Sequence, residues 1–262
     1  MKKKITYPPK AQSSSWETSA DWYDKIVGTQ GHYYHEHLIL PRTLRLLSLS
    51  ENCALLDLAC GQGILSRHIP RTAAYTGVDI SPSLIRAAQQ RPHPKEHLYA
   101  IGDVTKPLPV KNKQFTHAAI ILALQNIQDP LAVLKNAAIH LKTGGKLCIV
   151  LNHPCFRIPR QSSWQVDPAK KLQYRRIERY FSPLEIPIAT HPGQKAATEQ
   201  TISFHHPLSA FSGWLHQAGF VIEVMEEWCS DKKSEGAAAR MEDRARKEFP
   251  LFLTILASKV HL

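Results

Sequence analysis

Apolar residues recur along this chain in two rhythms, one of period two and one of three- and four-residue steps. Short apolar runs at Ala54 to Leu58, Ala74 to Asp79, His97 to Ile101, Phe115 to Leu122 and Leu147 to Leu151 read as five strands. Between them the helical step appears at Gly63 to Ile69, stopped by Pro70, at Ser83 to Gln90 and at Leu131 to Leu141. Ser81 and Pro82 form an N-cap and first helical residue, and Thr143-Gly-Gly-Lys146 marks the turn into the fifth strand. Farther on, Pro207 to Ala218 reads as a helix capped by Gly219, Phe220 to Trp228 and Leu251 to Val260 as strands, and Asp231 to Lys247 as a solvated helix. Ahead of the first strand, Trp16 to Ile26 and Leu38 to Leu49 carry helical spacing.

Strands alternating with helices, joined by right-handed crossovers, predict an α/β fold with a doubly wound, mostly parallel sheet. Its ligand belongs outside the carboxyl ends of the strands, where Asp57, Asp79, Asp103 and Asn126 all fall. Asp57, at the glycine turn, would repel a pyrophosphate, and the third glycine of the dinucleotide pattern is missing. A nucleoside with a cationic amino-acid tail suits a carboxylate beside a turn that lets backbone approach closely.

Asp57-Leu-Ala-Cys-Gly61-Gln-Gly63 resembles the Asp-x-x-x-Gly-x-Gly motif of class I S-adenosylmethionine-dependent methyltransferases, and Gly77-Val-Asp79 resembles their acidic ribose motif. The resemblance implies a seven-stranded sheet whose last strand runs antiparallel between strands 5 and 6. It implies S-adenosylmethionine as cofactor, contacted by Asp57, Ala59, Gly61, Gln62, Gly63, Asp79, Ile80, Asp103, Val104, Leu122 and Asn126. In the family an acid at the position of Asp103 accepts from the adenine amino group. Asn126 stands where relatives often carry His; an amide takes no proton and can only orient a substrate.

Length and charge refine the picture. The 262 residues suit one domain over 16–262, preceded by a disordered basic tail at 1–15. Within it, 16–50 would be an N-terminal helical lid and 152–200 a substrate-lid insertion after strand 5, a stretch in which the strand–helix pattern lapses. No apolar run approaches membrane-spanning length, and five cysteines, an odd count, suit reduced thiols in a cytoplasmic protein. The net charge of +11 and the basic residues Lys170, Lys171, Arg175, Arg176 and Arg179 favour an anionic or aromatic small-molecule acceptor. They also keep open an RNA methyltransferase, while a non-catalytic S-adenosylmethionine-binding module is the alternative outside enzymes. No zinc pattern is present. Tyr33, His35 and His153 are the acceptor-side residues expected to carry catalysis.

Overall fold

Alternate positions of each central strand commit their side chains to two separate cores, one on either face of a single sheet. The computed structural model describes residues 16–29, 31–111, 113–189 and 200–260. The chain runs through α1 (Ala20–Val27), α2 (Leu40–Leu47), β1 (Ala54–Leu58), β2 (Ala74–Asp79), α3 (Pro82–Gln90), β3 (His97–Ile101) and β4 (Phe115–Ile121). It continues through α4 (Pro130–His140), β5 (Leu141–Asn152), β6 (Ser162–Asp167), β7 (Leu172–Ile177), β8 (Leu184–Ala189) and β9 (Gln200–His205). The last elements are α5 (Leu208–Gln217), β10 (Phe220–Trp228), α6 (Ala239–Glu248) and β11 (Phe252–Lys259).

The seven-stranded sheet has the order β10-β11-β5-β4-β1-β2-β3. Its ladders are parallel from β5 through β4, β1 and β2 to β3. Only β11 runs the other way, antiparallel to both β5 and β10. This is the doubly wound, mostly parallel sheet with one reversed strand that the sequence resemblance implied. Leu56 and Leu58 join Val133, Leu134, Phe211 and Leu215 of α4 and α5 on one face. Leu55 and Tyr75 join Leu40 and Leu47 of α2 on the other. Period-two alternation therefore places Asp57 on the face covered by the N-terminal helices.

Several local expectations are corrected. Gly63 to Ile69 is not an α-helix but holds one 3-10 turn, Leu65–Arg67, because seven residues between a positive-φ glycine (Gly63, φ 73) and a proline are too few to propagate a helix. The turn at Thr143 to Lys146 lies inside β5 as a bulge: the ladder to β4 slips between Phe115 and His117, and Gly144 has φ 73. Leu38 to Leu49 begins within a π-helical turn, His35–Ile39, before α2. The solvated helix starts at Ala239 rather than Asp231, after Gly236 at φ 80. The insertion is not patternless: β6 pairs with β7, and β8 with β9, as two antiparallel ribbons. The tail expected at 1–15 lies outside the described residues.

Candidate functional site

At the carboxyl ends of β1, β2 and β4 and just past β3, a cavity of about 790 Å³ opens. One wall is backbone. Ala59, Gly61 and Gly63 turn at φ 58, 56 and 73, which carries the chain away from β1 and aims the Gly61 amide at Asp79 Oδ2, 2.8 Å away. Ala59 in this conformation carries strain that only glycine escapes, and such residues concentrate at ligand sites. The Ser81 amide donates to Asp79 Oδ1 at 2.9 Å. Two of the roughly four acceptor positions of a carboxylate are thus taken, and Asp79 still lines the cavity. Burial raises its pKa above the usual carboxylate range, against the pull of those amides.

Asp57 is placed behind this wall. It is 3% exposed, and the Tyr75 hydroxyl donates to its Oδ2 at 2.7 Å. Burial pushes its pKa up to about 7, with Asp79 adding repulsion. Gly77, opposite Asp57 in the ladder, makes room for the arrangement: a Cβ there would meet Cys60 Sγ at 2.7 Å and the Tyr75 hydroxyl at 2.9 Å. Gln62 is also buried; its Nε2 donates to the Gly28 carbonyl at 2.8 Å.

The other expected cofactor residues separate clearly. Ala59, Gly61, Asp79, Ile80, Asp103, Val104, Leu122 and Asn126 line the cavity, whereas Asp57, Gln62 and Gly63 support it from behind. Asp103 Oδ1 accepts from the Thr105 amide (2.9 Å) and hydroxyl (2.7 Å), leaving Oδ2 for a ligand. Leu122 adopts φ 54, and its carbonyl accepts from Gln125 Nε2 at 2.7 Å.

Sequence reasoning placed Trp16 and Tyr23 in the N-terminal lid and Ile188 in the insertion but named none of them, nor Gln125 or Ser203, as a site residue; all five line the cavity. Trp16 and Tyr23 meet edge to face with centroids 5.6 Å apart, and Tyr23 lies over Gly61. Burial and the nearby Asp79 push the Tyr23 phenol up to about 12, so it stays protonated. The aromatic density before β1 was the available signal. Ile188 and Ser203 belong to the β8/β9 ribbon, which packs over Leu124–Asn126.

Of the three acceptor-side residues, the fold brings only His35 to the cavity. It is 6% exposed, its Nδ1 is buried without a partner, and burial lowers its pKa to about 4, with His32 adding to the effect. Tyr33 stacks on His37 at the surface with Lys232 over its ring. His153 is buried away from the cavity lining, its Nε2 2.7 Å from Glu227 Oε1. The basic insertion residues also lie elsewhere: Arg175 covers Trp164 and donates to the Phe156 carbonyl, and Arg176 pairs with Glu178.

Residues 56–149 match the model of a methyltransferase domain. The chain is 25% identical over 144 residues to a demethylmenaquinone methyltransferase of Staphylococcus aureus (strain MRSA252), a match covering 53% of this chain and 59% of that protein. Among solved structures, an S-adenosylmethionine-dependent methyltransferase from Mesorhizobium loti aligns with a TM-score of 0.65 at 24% identity, over 84% of this chain and 96% of that one. The glycopeptide N-methyltransferase MtfA, solved with S-adenosylmethionine, aligns at 0.53 with 15% identity, over 99% of each chain. The domain match and the fold make this chain similar to class I S-adenosylmethionine-dependent methyltransferases. S-adenosylmethionine is the group bound in MtfA, which shares this fold. The residues present suit that group: carboxylates face a ligand with hydroxyls, an amino group and positive charge, and the glycine turn lets backbone come close.

Proposed function

We propose that this chain transfers a methyl group to an oxygen, nitrogen or carbon atom of a small molecule. The observation that carries the reading is the lining of one cavity, which joins the carboxylates at the ends of β2 and β3 with His35, Gln125, Ile188 and Ser203. Its volume of about 790 Å³ lies toward the upper end of the roughly 300–1,000 Å³ of single-ligand pockets, room for a cofactor with a small acceptor beside it.

Asp79 would hold the ribose hydroxyls, Asp103 Oδ2 the adenine amino group, and the turn from Ala59 to Gly63 the amino-acid tail, backed by Asp57. Bound S-adenosylmethionine supplies an electrophilic methyl group on a sulfonium sulfur. The work of the protein is to fix the acceptor atom in line and to exclude water. Where the acceptor is O–H or N–H, the neutral imidazole of His35, which lines the cavity, would take the proton as the new bond to carbon forms. The Staphylococcus aureus relative, named for a small-molecule substrate, supports a small acceptor.

Calorimetric titration with S-adenosylmethionine tests the cofactor half. Asp79→Asn should weaken binding by at least ~10-fold, the order expected when a charge-assisted hydrogen bond becomes a neutral one. Unchanged affinity would refute the assignment. Methyl transfer to RNA alone, with no small molecule accepted, would overturn the acceptor half.

A further inference from the structure

The ribbon of β6 and β7 exposes side chains that its own packing leaves over. Trp164 on β6 meets Phe249 edge to face, and Arg175, its partner across the ladder, covers its ring, so this face of the ribbon is turned toward the body of the protein. The alternate positions of β7 are the exposed ones: Leu172, Tyr174 and Arg176. Val166, beside the turn, is 49% exposed, and Phe181, just beyond β7, is 77% exposed. Single exposed apolar side chains are ordinary, but here they gather on one short ribbon.

The turns of the same ribbon hold cations. At its tip Asp167 Oδ1 accepts from the Lys170 amide at 3.1 Å, and the Lys170 side chain stays 77% exposed with Lys171 exposed beside it. Arg244 of α6 donates to the Lys171 carbonyl at 3.0 Å and adds its charge to the tip. At the base, where the Glu178 amide donates to the Gln161 carbonyl at 2.7 Å, Arg160 and Arg179 are both exposed. Arg160, Lys171 and Arg179 sit at φ 60, 49 and 51. Glycine or asparagine fills such left-handed positions at less cost, so the turns themselves do not call for cations; a charge presented outward does. Residues 160–179 carry six cations against two acids, and those acids are engaged with the turn amide and with Arg176. Pro159, next to Arg160, lines the main cavity, so the base of the ribbon adjoins it.

The geometry points to a docking surface for an anionic lipid bilayer, with the cations of the ribbon on lipid phosphates and Val166, Leu172 and Tyr174 at the boundary between headgroups and acyl chains. Charge complementarity selects an anionic partner. The apolar residues then separate the candidates. RNA would satisfy the cations and stack on an aromatic ring, but the aliphatic Val166 and Leu172 gain nothing from bases or phosphates. An acyl boundary takes both, and a tyrosine suits the headgroup level. Attraction to surface charge joined to shallow apolar burial gives reversible binding, in which the chain lies on the bilayer. Among the described residues no helix is long and apolar enough to cross one.

The test sediments the full chain with vesicles of phosphatidylcholine alone and of equal parts phosphatidylcholine and phosphatidylglycerol. It should pellet with the anionic vesicles, stay in solution with the neutral ones, and be released by salt. Lys170→Gln with Lys171→Gln should weaken partitioning by at least ~10-fold, since each cation near an anionic surface contributes about 5-fold. Val166→Ser with Leu172→Ser should weaken it several-fold while leaving the salt dependence as it is, and Tyr174→Ser repeats that apolar test away from the turn. All five side chains are exposed, so the melting temperature should hold. Failure to pellet with the anionic vesicles overturns the inference. So do equal pelleting with neutral vesicles, undiminished binding by either double variant, or retention on RNA without binding to vesicles.

Discussion

Asp57 and Asp79 lie on the same face of neighbouring strands, yet they do different things. Asp79 reaches the cavity with its oxygens held by two backbone amides. Asp57 is sealed under Tyr75 with a pKa near 7. A carboxyl whose folded pKa is raised contributes stability below its unfolded value of about 4 and loses it as pH climbs through the folded value. Asp57→Asn keeps an acceptor for Tyr75 and has no proton to lose. Its melting temperature relative to the native chain should therefore be higher at pH 8 than at pH 5; the opposite order in a calorimetric scan would show that Asp57 is not protonated in the fold. At His35, replacement by Gln should lower kcat by ~10²-fold or more for an O–H or N–H acceptor, with KM for S-adenosylmethionine little changed. Because His35 stays neutral down to about pH 4, the acid limb of the native kcat profile that it governs should fall near there and not near 6.5.

The strand ends of the parallel sheet were readable as elements because each buried strand is a short apolar run with a turn residue at its limit. The motif positions followed from those limits, so the place of Asp79 and Asp103 at the cavity was legible in the sequence. The insertion was not readable. β7 alternates exposed and half-buried residues, with Arg175 and Arg176 among them, so its period two carries little hydrophobic contrast. Nor does sequence show which way a basic side chain turns once Trp164 or a carbonyl holds it. The wall made by α1 is likewise tertiary. Glu17 accepts from the Ser81 and Ser83 hydroxyls, and Arg91 Nη2 donates to Asp24 Oδ1 at 2.6 Å with both side chains less than a third exposed. Arg67 adds bonds to the carbonyls of Gly28 and Thr29. Arg91→Ala should loosen this wall by about 1 kcal/mol, seen as faster proteolysis within 16–29 that S-adenosylhomocysteine slows. Unaltered cleavage would mean that the pair does not hold α1.

Among the described residues, burial lowers the pKa of seven histidines: His32, His35, His97, His117, His153, His205 and His206. Below about pH 6.5 the unfolded chain binds protons at these sites before the folded chain does, so stability falls with acidification. Asp57 and Asp79 act in the opposite sense. Seven groups against two should give a net loss of melting temperature between about pH 6.5 and 4.5, and a flat or rising profile there would contradict the burial of these rings. A further consequence lies in the reversed strand. β11 fills the gap between β5 and β10, so during synthesis those two strands emerge with nothing to join them until residues 252–259 leave the ribosome. Folding of that side of the sheet must wait for the last-made strand. A chain stopped at Pro250 should accumulate as an aggregating intermediate with β10 unpaired, whatever the condition of the cofactor half.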